Sequence, residues 1–315
     1  MQIIAGDIGG TKTLLRLVNV DQMDRKEVAE ERFESGAYAT FELLLAEFLA
    51  HHPGSIAAAC FAVAGPVLDG HAEITNLSWE INSAALLRKF PLGKLSLIND
   101  FYAVALGVPL LGERDLRPLQ RGRRQPLGPM AILGAGTGLG EANLVHDGIR
   151  WNVVASEGGH ADFGPQDEQQ AELYLWLQKR YGHVSWERVL SGMGLVNIHN
   201  YLTGADTEYD EKVPAKIAAL AAAGDAMANR TFEVFVDIYG SEAGNMALRV
   251  LARGGVFLAG GVAARNVDRF TDGRFSQAFL RKGRFEPLLA EIPVDLITNP
   301  KVGLIGAVEM ATRLL

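Results

Sequence analysis

Gly6-Asp7-Ile8-Gly9-Gly10-Thr11 and Gly134-Ala135-Gly136-Thr137-Gly138-Leu139-Gly140 are the two stretches that decide how this chain reads. A short apolar run precedes each (Ile3 to Ala5; Met130 to Leu133), and another follows (Leu14 to Val20; Ala142 to Val145). The pattern is strand, tight turn, strand, and it occurs twice. Glycine turns leave backbone N–H groups bare, and the threonines add hydroxyls, so a phosphate can come close. Glycine is common in ordinary hairpins, and one such turn alone would carry no function. Two at matched positions, both with a threonine and one with Asp7, point to a polyphosphate held between two similar halves. The P-loop pattern fails, because Lys12 follows Thr11 where that pattern needs a glycine. The dinucleotide pattern also fails, with Leu139 or Glu141 where its last glycine belongs.

The 315 residues suffice for about two domains. Hydrophobic residues make up 48% and charged residues 21%, as expected of a globular protein in water. A net charge of −7 argues against nucleic acid as a partner, since a phosphate backbone needs a basic surface. Cys60 is the only cysteine, so neither an intramolecular disulfide nor a cysteine-rich zinc site can form. It lies in the apolar run Ile56 to Ala64 and reads as a buried, inert thiol. No apolar stretch approaches membrane-spanning length and no leader pattern opens the chain, which predicts a cytoplasmic protein without a membrane partner.

Further along, apolar periodicity predicts a helix over Phe41 to His51 and a strand over Ile56 to Ala64. A second helix is expected over Ser83 to Phe90, a strand over Leu95 to Ile98 and a helix over Phe101 to Leu106. Asn99-Asp100 then falls at the carboxyl end of a strand, where open α/β sheets gather ligand groups. Leu111 to Gly128, with five arginines among prolines and glycines, reads as a solvated connector. Helices follow over Gln166 to Tyr181, stopped by Gly182, and over most of Lys212 to Ala252, where Gly240 and Gly244 permit close packing. Strands over Gly255 to Leu258 and Val294 to Ile297 and a final helix over Val302 to Leu314 complete an α/β pattern.

Three polar clusters supply chemistry: Asn99-Asp100, Glu157-Gly158-Gly159-His160, and Glu187. The two glycines between Glu157 and His160 disfavour a helical metal pair. A carboxylate and an imidazole on one loop suit a ligand rich in hydroxyls, because each can accept from a sugar O–H. Taken singly, Glu187 would be a helix-face charge and Asp100 an N-cap. Hydrolase signatures are absent.

These residues make the chain resemble the bacterial glucokinase family. The matching stretches are GDIGGTKT (6–13), TNLSW (75–79), LINDF (97–101), LGAGTGLG (133–140), SEGGHADFGP (156–165), ERVLSG (187–192), GGVFLAGGV (254–262) and KGRFEPLLAEIPV (282–294). They occur in order and cover nearly the whole chain. Lys12 stands where this group often has asparagine, and GGTK is similar to the ROK sugar kinases. Those kinases usually carry a zinc-binding cysteine cluster, which a chain with Cys60 alone cannot build.

The resemblance implies a two-domain, actin-like ATPase fold (ribonuclease H-like) with a central cleft. Residues 1–109 with 299–315 would form a small α/β domain and 110–298 a large one, with hinges near 107–112 and 298–302. The implied activity is transfer of phosphate from ATP to the 6-hydroxyl of D-glucose, with Mg2+ and in a homodimer. Asp100 then resembles the catalytic base, and Asn99, Glu157, His160 and Glu187 the glucose ligands. Gly6, Asp7, Ile8, Gly9, Gly10 and Thr11 resemble the first phosphate loop, with Asp7 orienting the magnesium through water. Thr137 and Gly138 fall in the second loop, and Gly260 and Gly261 on the adenosine side. Kinases of mannose, fructose or an N-acetylated amino sugar are the near alternatives, and ADP or polyphosphate could replace ATP as donor. An actin-like phosphatase or ATPase switch would lack the Glu157, His160 and Glu187 set. A sugar-responsive regulator would need a DNA-binding segment ahead of Gly6.

Overall fold

The computed structural model describes residues 1–21, 24–74 and 77–315. Thr75 and Asn76, the first two residues of the TNLSW stretch, lie outside the described residues. The chain separates into two compact units, Met1–Leu111 with Asn299–Leu315, and Gly112–Thr298.

The first unit is built on β1 (Gln2–Ile8), β2 (Lys12–Asp21), β3 (Asp24–Glu34), β4 (Ile56–Val63) and β8 (Leu95–Asn99), in the order β3-β2-β1-β4-β8. β1 to β3 form an antiparallel meander, and β4 and β8 run parallel to β1. Alternate residues of β1 feed two cores. Ile4 and Ile8 pack with Phe41, Leu44, Leu45 and Phe48 of the Phe41–His51 helix, which bury the i, i+3, i+4, i+7 face that the sequence predicts. Ile3 and Ala5 pack with Cys60 and, from the Val302–Arg313 helix, Leu304, Ala307 and Ala311. With both faces covered, β4 is apolar throughout, as central parallel strands are. Cys60 is fully buried and burial pushes its thiol pKa up, so it is inert.

The Val302–Arg313 helix packs closely on the Asp100–Gly107 helix. A Cβ built on Gly306 would overlap the carbonyl oxygen of Ala103. Gly306→Ala should therefore destabilise the protein by about 1–3 kcal/mol, because neither backbone can yield. Thermal unfolding measures this; an unchanged midpoint would mean that the two helices part freely.

The second unit repeats the strand plan. β10 (Met130–Ala135), β11 (Leu139–His146) and β12 (Trp151–Ser156) form a meander, with β13 (Gly255–Ala259) and β14 (Val294–Ile297) parallel to β10. The order β12-β11-β10-β13-β14 matches that of the first sheet. The turns differ in size. The first hairpin closes at Ile8↔Thr13 and the second, tighter one at Ala135↔Leu139.

Several elements depart from the sequence reading. The arginine-rich stretch 111–128 contains β9 (Leu116–Gln120), which pairs antiparallel with β14 at the sheet edge. An edge position tolerates Pro118, and Arg124 pairs with Asp295, so this stretch is not simply a solvated connector. The charged strand β3 lies at the other unit's edge, with Arg16 of β2 paired to Glu30. A small antiparallel sheet of β5 (Val67–Leu68), β6 (His71–Ile74) and β7 (Trp79–Asn82) and a helix over Gly192–Thr203 were also unforeseen. Residues 212–252 divide into two helices, Val213–Ala222 and Ala226–Val250, the latter capped by Asp225. A Cβ on Gly240 or Gly244 would meet the backbone of Phe275 or Phe279, so these glycines do permit close helix packing. Among the described residues, no helix is long and apolar enough to cross a membrane.

Candidate active site

In the first unit the chain passes from β8 into the Asp100–Gly107 helix at Asn99. Asn99 is the N-cap: its Oδ1 accepts from the N–H groups of Phe101 (2.9 Å) and Tyr102 (3.1 Å). Its Nδ2 donates to the Gly65 carbonyl (3.1 Å) and to Asp100 Oδ1 (3.0 Å). Asp100 thus occupies the first helical position, aimed by its own neighbour. Burial, and then the charge of Asp7, push its pKa up to about 6, against the pull of hydrogen bonds from Phe101 and Asn99. A carboxylate that ionises so near neutrality suits proton abstraction.

Asp7 lies near the end of β1, one residue before the Ile8↔Thr13 pair that closes the hairpin. Burial raises its pKa and the Lys12 ammonium opposes that rise. The Gly9–Lys12 turn is held from outside the hairpin by Ser35, which is fully buried. Its N–H donates to Thr11 O (3.0 Å) and its Oγ to Gly9 O (2.8 Å). Sequence spacing carried no signal for Ser35 or for Gly65, because each acts across a distant stretch of chain.

In the second unit the Gly136–Gly138 turn is closed by Gly136 N donating to Gly138 O (2.8 Å). Beside it stands the polar trio that the sequence singled out. Glu187 Oε2 accepts from the Leu139 N–H at 2.9 Å. His160 Nδ1 lies 4.0 Å from Glu187 Oε1, and its Nε2 lies 3.9 Å from Glu157 Oε2. The imidazole therefore stands between two carboxylates, with Glu157 and His160 exposed and Glu187 mostly covered. Gly138 makes room for this: a Cβ there would lie 2.5 Å from Glu187 Oε2. Gly260 has φ +85° and a Cβ on it would overlap the Ala135 carbonyl, so only glycine fits against the end of β10. Gly261 then begins the short Gly261–Arg265 helix. Two further residues border the turn. Tyr209 hydrogen-bonds to Thr137, and Gly192 N donates to Gly136 O (2.8 Å).

Each unit thus carries a glycine turn with polar side chains fixed next to it. The family model described as "Glucokinase" matches residues 4–314. The chain belongs to the glucokinase family. Relatives in this family include a glucokinase of a Nostoc species, 40% identical, with 99% of each chain covered. A Yersinia pestis glucokinase is 38% identical over 96% of this chain and 94% of its own. Among solved structures, a glucokinase from an Antarctic psychrotroph superposes with a TM-score of 0.89 at 30% identity, covering 99% of both chains.

Proposed function

We propose that this protein phosphorylates D-glucose at the 6-hydroxyl with ATP, giving glucose 6-phosphate and ADP. The observation that carries the reading is the linkage of the sugar-type trio to a glycine turn. Glu187 bonds the N–H of Leu139, the residue just after Gly138, so hydroxyl-binding groups and phosphate-binding backbone share one framework. The carboxylate of Asp100, held by Asn99, is the base that orients the 6-hydroxyl and accepts its proton. Asn99, Glu157, His160 and Glu187 bind the remaining hydroxyls. A site that bonds each hydroxyl leaves polar groups unpaired when an epimer binds, which can discriminate by about 10⁴-fold.

The domains 1–109 with 299–315 and 110–298 are each read as one half of an actin-like ATPase fold. The repeated strand order supports that assignment. The Gly6 to Thr11 loop and Thr137 and Gly138 of the second turn receive the phosphates, and Gly260 and Gly261 the adenosine side. Asp7 suits Mg2+: it is a hard oxygen donor whose buried charge would gain from a cation. Among the described residues no three acidic, histidine or cysteine side chains form a metal cage, and Asp7 would orient the Mg2+ through water. When bound, Mg2+ neutralises charge on the transferring phosphoryl group. A cytoplasmic homodimer is part of the same proposal.

Release of ADP, followed with glucose, mannose, fructose and N-acetylglucosamine side by side and with ATP, ADP or polyphosphate as donor, tests it. Turnover should require sugar, be fastest with glucose and use ATP. ATP hydrolysis that ignores sugar would overturn the reading.

A further inference from the structure

Directly under the Glu157–His160 loop lies a second group of charges that the proposed chemistry does not use. Glu141, on β11, has a side chain only 1% exposed. It faces Glu242, on the Ala226–Val250 helix, whose side chain is fully buried. A single guanidinium serves both: Arg249 Nη1 donates to Glu242 Oε1 at 2.7 Å and stands 3.9 Å from Glu141 Oε2. Glu242 Oε2 is also satisfied, by Asn245 (2.8 Å). Glu141 Oε1 has no hydrogen-bond partner. A buried carboxylate with an orphaned oxygen is costly and calls for a reason.

The reason lies overhead. A Cβ on Gly158 would overlap Glu141 Oε2, so this carboxyl forms the floor on which the Gly158 backbone rests. Gly158 N is in turn tied to Ser156 Oγ (2.9 Å), and Ser156 is the cross-strand neighbour of Glu141. Two residues earlier on β11, Leu139 holds Glu187 through its N–H. Its carbonyl also abuts Gly159. The start of β11 is therefore the bed for all three sugar-type ligands.

We infer that Glu141 is a positioning residue: its protonated carboxyl seats the Glu157–His160 loop for sugar binding, and its ionisation unseats that loop. The inference rests on the proposed sugar site. Burial, then the charge of Glu242, push the Glu141 pKa up to about 7, with Arg249 opposing. The other groups around it are Tyr239 and, through Glu242, Lys282, whose pKa burial lowers to about 8. From the loop side, Glu157 and His160 stand toward solvent. Below the ordinary carboxylate range Glu141 is neutral in any state. Between that range and about pH 7 the folded protein keeps it neutral, and above it a second buried negative charge shares one arginine. Sugar affinity should therefore fall as pH rises through neutrality, and by reciprocity sugar binding near pH 7 should take up protons.

Glucose binding by titration calorimetry at pH 6 and pH 8, with wild type and Glu141→Gln, tests this. Wild type should bind at least about fivefold more weakly at pH 8, a modest coupling. Glu141→Gln, a neutral isostere, should bind at both pH values as wild type does at pH 6, with less proton uptake. An equal pH step in both proteins would overturn the inference and assign the step to His160 or another group; no glucose binding at all would instead overturn the proposed function. A second pair guards against misfolding. Gly158→Ala should weaken binding about tenfold or more in wild type and much less in a Glu141→Ala background. Equal losses in both backgrounds would show that Glu141 does not seat the loop.

Discussion

Asp100→Ala should lower kcat by about 10²- to 10⁴-fold, the range that a positioned general base contributes, while glucose binding stays measurable. The side chain removed is the one whose pKa the fold raises to about 6, and its loss acts mainly on the transition state. Asn99 keeps its bonds to Phe101, Tyr102 and Gly65 in such a variant, so the helix cap and the local fold should survive. The pH profile gives a second check. An acid limb of kcat/KM should rise through about pH 6 as Asp100 ionises, and it should be missing from the residual activity of Asp100→Ala. A variant retaining more than about a hundredth of wild-type kcat would remove Asp100 from the role of base.

Glu187→Gln should raise the KM for glucose about ten- to hundredfold, more than it lowers kcat. A hydrogen bond to a charged group is worth roughly 1.5–3 kcal/mol, which converts to that range. The amide oxygen can keep the bond from Leu139 N–H, so the turn should hold its shape. The other end, now an NH2 group, would lie toward His160 and could donate but no longer accept, so under the proposed site a sugar hydroxyl would lose its partner. The KM for ATP should stay nearly constant. If ATP affinity falls and glucose affinity holds, Glu187 serves the nucleotide, and the sugar pocket must be redrawn around Glu157 and His160.

The glycine turns, the amphipathic Phe41–His51 helix and the Asn99-Asp100 junction were legible because each is a local pattern. Apolar spacing, turn chemistry and capping act within a few residues, so a short window contains the whole signal. The quoted stretches also placed the chain in its family, since eight local patterns in a fixed order leave little freedom. β3 and β9 escaped because edge strands satisfy one side only and carry charges and a proline that hide their alternation. Three-dimensional packing alone revealed Ser35 gripping the first turn, Tyr209 on Thr137, and Glu141 beneath Gly158. It also set the Asp100 pKa, which depends on burial and on Asp7 from a different strand. Linear order therefore determined which groups the protein has and where each turn falls. Tertiary structure decided which of those groups meet, because burial and charge act through space between residues that the sequence holds far apart.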